Sequence, residues 1–153
     1  MNHKRRDMMR ITSVLSLAIS AGLLKTSAAF AADWNAKAFE AKNMEEVVKA
    51  LGGSAPTISK DIMITAPDIA ENGAVVPVSV SSSVPKTQYM AILVEKNPSA
   101  LSAGFNIPAD SEPSVSTRIK MGSTSKVHAL VKADGKWLIA TKEIKVTLGG
   151  CGG

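Results

Sequence analysis

The sequence predicts a mainly β protein: an immunoglobulin-like antiparallel β-sandwich with a short N-terminal helical segment and a flexible Gly-rich C-terminal arm. Three observations predict it. From residue 61 onward apolar and polar residues alternate with a period of two, as they do in strands with one buried face. Turn signals then divide the chain into about seven short strands, spaced too closely for the helical crossovers of a parallel sheet. A helical pattern is confined to the stretch from Trp34 to Leu51.

The chain of 153 residues is long enough for one domain. Its first part reads as an export signal rather than as fold. Residues 1–31 hold Lys4, Arg5, Arg6, Arg10 and Lys25 against Asp7 alone, a net of +4. The other 122 residues carry 13 basic and 12 acidic side chains, a net of +1. Most of the formal charge of +5 therefore belongs to the signal. A basic start is followed by an apolar run, Ile11 to Leu24, and by Ala29-Phe30-Ala31, which fits the A-x-A cleavage pattern at Ala29 and Ala31. A helix of 14 residues rises about 21 Å, short of the roughly 30 Å hydrocarbon core, so no permanent membrane anchor is expected. Arg5-Arg6-Asp7-Met8-Met9-Arg10 resembles the twin-arginine export motif, which implies a periplasmic destination. That route carries folded proteins, so export as a folded complex with a partner is expected.

The predicted domain covers residues 32–148. In its helical segment, Ala36 to Ala41 are mostly good helix formers. Asn43 followed by Glu46 resembles a capping box, Val47, Val48 and Leu51 form an apolar face, and Gly52-Gly53 ends the helix. Trp34 and Phe39 are expected to pack the helix onto the body. Ile62 and Ile64 begin the alternation. Val76, Val78 and Val80 continue it, but Pro77 lies among them and proline belongs at a strand edge or bulge. These three valines are therefore read as a candidate partner edge. Tyr89 to Val94 is a continuous apolar run, as in a central sandwich strand. Val115 to Met121 and Val127 to Val131 alternate again. Asp134-Gly135 predicts a two-residue hairpin, because a type I′ turn needs φ > 0 at both positions. Trp137 to Leu148 then forms a long last strand.

Few residues suit chemistry. A single cysteine excludes an internal disulfide and a zinc-thiolate cluster. His128, the one histidine of the predicted domain, lies on an alternating strand between lysines and reads as solvent-facing or capped. Asp68, Glu71, Asp110 and Glu112 are loop acids. No metal site, cofactor site or catalytic constellation is legible. The basic residues alternate with acids and lack aromatic interleaving, so no nucleic-acid surface is expected.

The end of the chain differs in kind. After Leu148 come Gly149, Gly150, Cys151, Gly152 and Gly153. Glycine orders at high entropic cost and offers no side chain to obstruct a narrow entrance. Five extended residues reach about 17 Å. Lys145 is the nearest basic residue to Cys151, so nothing local activates the thiolate, and a thiol of pKa near 8.5 is only a few per cent ionised at neutral pH. A carrier whose thiol is activated in a partner's pocket fits this pattern better than an enzyme does.

With an export signal and a GGCGG terminus, the sequence resembles the SoxY family, the sulfur carriers of the periplasmic thiosulfate-oxidising Sox system. The resemblance extends through Ile64 to Val78 (ITAPDIAENGAVVPV), Leu93 to Pro98 (LVEKNP), Ser116 to Gly122 (STRIKMG) and Ala140 to Leu148 (ATKEIKVTL). It implies an immunoglobulin-like carrier paired with SoxZ, with no cofactor of its own. Cys151 would be conjugated oxidatively to thiosulfate by the c-type cytochrome SoxAX. The manganese-dependent hydrolase SoxB would release sulfate, and the sulfane dehydrogenase SoxCD, where present, would oxidise the remaining sulfur. Gly149, Gly150, Gly152 and Gly153 would form the swinging arm. Two other readings remain at this point: a thiocarboxylate carrier using the terminal Gly152-Gly153, and a structural sandwich dimerised through its cysteine.

Overall fold

The computed structural model describes residues 35–147. Two helices, α1 (Ala36–Glu40) and α2 (Met44–Ala50), stand where the sequence suggests one. The break is imposed by side chains. Ala41 is extended and its carbonyl accepts the Ala100 amide at 3.0 Å. Asn43 then starts a new helix: its Oδ1 accepts the Glu46 amide at 2.9 Å, and Glu46 answers by accepting from the Lys42 amide and the Asn43 side-chain amide. Gly52, at φ +72°, turns the chain left-handed, and the Gly52 and Gly53 amides bond Lys49 O and Val48 O. This is the Schellman arrangement that the Gly-Gly pair predicts. Gly53 has a second reason to be glycine, because a Cβ there would run into the Trp137 indole.

Nine strands follow: β1 (Thr57–Ile58), β2 (Ile62–Thr65), β3 (Ile69–Ala70), β4 (Val76–Ser82), β5 (Thr87–Val94), β6 (Leu101–Asn106), β7 (Ser114–Ile119), β8 (Ser125–Ala133) and β9 (Lys136–Val146). The larger sheet has the order β1-β9-β8-β5-β6, with β3 also paired to β9. The smaller has the order β2-β4-β7. The two sheets enclose one core, in which Ile62, Val76, Val78 and Val80 meet Met90, Ile92, Val127 and Ile144. This is the expected sandwich, antiparallel except where the two-residue strands β1 and β3 run parallel to β9.

The larger sheet is buried on both faces. Ala91, Leu93, Leu130, Trp137 and Ile139 point away from the sandwich core and pack with Val47 and Val48 of α2. That second core explains why β5 reads as a continuous apolar run instead of an alternation. Asp134 and Gly135, at φ +48° and +74°, join β8 to β9 as the type I′ hairpin expected.

One expectation is overturned. Val76, Val78 and Val80 do not form a partner edge. β4 is the middle strand of the smaller sheet, flanked by β2 and β7, and the three valines are buried at 0%, 0% and 1% exposure. Proline is tolerated there because β2 pairs only with Ser79 to Ser82. At Pro77 only the β7 flank is occupied, so the missing amide leaves no gap in the β2 ladder. Strands β1, β3 and β6 were not legible in the sequence. β7 also stops at Ile119 rather than Met121, although Met121 is buried in the sandwich core.

Candidate functional site

Cys151, with Gly149, Gly150, Gly152 and Gly153, lies outside the described residues, as do Arg5, Arg6, Ala29, Ala31 and Trp34. The structure describes the platform from which the Cys151 segment leaves. β9 is held on both flanks at its end. On one side Lys145 N–H donates to Asp68 O at 2.9 Å and Thr147 N–H to Ala70 O at 3.1 Å. On the other side Val146 N–H donates to Thr124 Oγ1 at 3.0 Å. The Lys142 ammonium ties β9 to the 66–68 turn, reaching Asp68 Oδ1 at 3.0 Å and Ala66 O at 2.6 Å. Thr147 is thus the last described residue and a fixed one.

Neighbouring loops are joined to this end by specific contacts. Met121 N–H donates to Gly73 O at 2.7 Å, and a Cβ at Gly73 would run into Met121 O and Val146. The Asn97 side chain donates to Lys120 O at 2.7 Å and accepts from the Gly122 amide at 3.3 Å. Ser125 Oγ accepts the Lys96 amide at 3.0 Å. Four separate stretches, 64–78, 93–98, 116–122 and 140–147, therefore meet around the point where β9 stops.

Two clefts among those lined by described residues flank the sandwich. One, of 380 Å³, sits between the β6 and β7 edges at the β9-exit end and is lined by Asn97, Leu101, Ser102, Arg118, Ile119 and Lys120. The other, of 770 Å³, lies at the opposite end between the 82–88 and 107–113 loops. Lys86 at its rim pairs with Asp134 at 3.6 Å, in full contact with solvent.

His128 is capped, as one of the two sequence readings expected, and its side chain is only 12% exposed. Nδ1 lies 2.8 Å from Thr141 Oγ1, and Nε2 lies 4.0 Å from Glu95 Oε2. Burial lowers its pKa; Glu95 opposes the shift and Lys126 adds to it. Among the described residues no group of three or more His, Cys, Asp or Glu side chains could hold a metal ion, and no helix is long and apolar enough to cross a membrane. Among the described residues the exposed large apolar side chains, Ile58, Met63, Ile69 and Val75, fall between residues 58 and 75. Met63 was the visible signal: it breaks the alternation by placing an apolar group on the polar face of β2.

Comparison with known proteins adds three findings. The model of the family described as sulfur oxidation protein SoxY matches residues 47–151, a stretch that ends on the cysteine. The structure of the sulfur carrier protein SoxY from Chlorobium limicola f thiosulfatophilum is 38% identical, with a TM-score of 0.64. The match covers 69% of this chain and 97% of that one. A superoxide reductase (neelaredoxin) from Ignicoccus hospitalis has a TM-score of 0.51 over 56% of this chain and 80% of its own; at 20% identity it shares the fold alone. No curated protein matches the chain.

Proposed function

The chain belongs to the SoxY family, and from that premise we propose that it is a periplasmic carrier holding thiosulfate-derived sulfur covalently on Cys151. The observation that supports this reading is the placement of the sole cysteine four residues beyond Thr147, between glycine pairs, at the end of a strand clamped on both flanks. Full extension places the Cys151 Cα up to about 14 Å from Thr147. The fixed platform sets the origin of that reach, and the glycines leave the path free of side chains. The chain supplies substrate to other active sites and performs no bond-making step by itself.

The cycle begins when the Cys151 thiolate joins the sulfane sulfur of thiosulfate. Two electrons leave to the c-type cytochrome SoxAX, and the product is a cysteine S-thiosulfonate. Water then cleaves the bond between the sulfane and sulfonate sulfurs in SoxB, releasing sulfate and leaving a persulfide on Cys151. SoxCD would oxidise that sulfur further. No cation of this chain is close to Cys151 in sequence, and the proposed carrier relies on the enzyme pocket it enters to stabilise the thiolate. SoxZ is the proposed permanent partner. It would cross the membrane with this chain under the Arg5-Arg6 signal, with cleavage after Ala31.

Intact mass spectrometry of the protein from thiosulfate-grown cells tests the carrier reading. Increments of sulfur or of a thiosulfonate group should appear on the Cys151 side chain and vanish on reduction. Cys151→Ser should lose all loading and all thiosulfate oxidation while its melting curve stays unchanged. Retained oxidation by that variant overturns the proposal.

A further inference from the structure

The 380 Å³ cleft beside the β9 exit contains two cations and no acid. Arg118 and Lys120 line it together with Asn97, Leu101, Ser102 and Ile119. Both cations are exposed, and neither takes part in the close contacts between basic and acidic side chains among the described residues (Lys86 with Asp134, His128 with Glu95, Lys142 with Asp68). The cleft is also rigidly placed. Asn97 bridges the Lys120 carbonyl and the Gly122 amide, and Ile119 is buried in the sandwich core. The larger cleft lacks these properties, because its Lys86 already faces Asp134 and it opens at the far end of the sandwich.

The distances fit the chain that leaves β9. In the order β9-β8-β5-β6, three strand spacings separate β9 from β6, about 14 Å. The backbone from Thr147 to Cys151 spans about 14 Å when extended, and the cysteine side chain with its adduct reaches beyond that. Val146 touches Gly73, Gly73 bonds Met121, and Met121 adjoins Lys120, so two contacts connect exit and cleft.

We propose that the Arg118–Lys120 cleft is a resting cradle for the loaded arm, in which the sulfonate end of a thiosulfate-derived adduct on Cys151 lies between these two cations. The occupant is the 148–153 segment of this chain. This rests on Cys151 as the attachment point. A sulfonate matches the site in charge, with three acceptor oxygens for the guanidinium and ammonium donors. A reduced, neutral thiol offers neither charge nor acceptors, so the cradle distinguishes loaded from empty carrier and shields the adduct from stray thiols between enzymes.

The test installs the adduct chemically, on the protein as isolated from cells. The Cys151 thiolate attacks a central sulfur of tetrathionate, forms the S-thiosulfonate and expels thiosulfate. Intact mass verifies the product. A matched sample is capped with iodoacetamide, which leaves a neutral group. The S-thiosulfonate should shift the backbone amide resonances of residues 97, 99–102 and 118–120, and the neutral cap should not. In the R118Q/K120Q double variant the same adduct should leave them unshifted, while the remaining spectrum keeps its dispersion. Equal shifts from the neutral cap, or none from the adduct, overturn the cradle. Because the adduct is made without any Sox enzyme, this outcome is independent of the loading and respiration tests above.

Discussion

The two ends of the sandwich differ in how they are closed. At the β8–β9 hairpin end the chain reverses through Asp134 and Gly135, a turn made by local backbone geometry, and the larger cleft opens beside it. At the β9-exit end four distant segments are fastened by Asn97, Thr124, Ser125 and Gly73. A hairpin has only to reverse the chain. The β9-exit end holds the last described residues of the chain in place, and it does so through long-range contacts.

Substitutions at the glycines test this difference most strongly. Gly73→Ala should destabilise by about 3 kcal/mol, since the new Cβ meets a backbone carbonyl that cannot rotate away. Gly135→Ala should cost about 1–2 kcal/mol, because nothing lies near its Cβ and only the left-handed backbone resists. Urea unfolding at fixed pH measures both. An equal or larger loss at Gly135 would remove the distinction between the ends. Thr124→Val should cost about 1 kcal/mol by leaving the Val146 amide without its acceptor. Hydrogen exchange should then quicken at Val146 and Thr147 but not at residues 133–136.

The smallest effect concerns pH. Burial holds the His128 pKa below that of the unfolded chain, so the unfolded state takes up its proton first as pH falls. The contribution of this group is complete above the unfolded value, about 6.5, and declines as pH drops from there toward the lowered native value. His128→Gln should flatten that part of the stability profile. An unchanged slope in the variant would show that another group titrates there.

Local features were the legible ones. The capping box at Asn43 and Glu46, the Gly52-Gly53 stop and the Asp134-Gly135 turn each act within a few residues and each formed as read. Cys151 and its glycines were visible only in sequence, where composition alone sets them apart. Pairings across the chain were not legible. β1 and β3 are two residues long and exist because β9 accepts them. β6 contains Gly104, a poor strand former, retained where a Cβ would run into the Tyr89 hydroxyl. The valines of β4 misled because Pro77 reports one open flank at its own position, whereas burial of the valines is decided by the opposing sheet. The Arg118–Lys120 cleft was likewise illegible, because β6 and β7 come together only in the folded sandwich.

The short parallel strands also give the protein a mechanical character. β9 is 11 residues long, with β8 along one edge and β1 and β3 along the other. Under the proposed carrier role, a pull on Cys151 directed along the β9 axis would act across hydrogen bonds that lie sideways to it. Such a load is shared by the whole ladder at once and does not peel it open bond by bond. A protein loaded in that direction would keep its last strand in the sheet through repeated pulls.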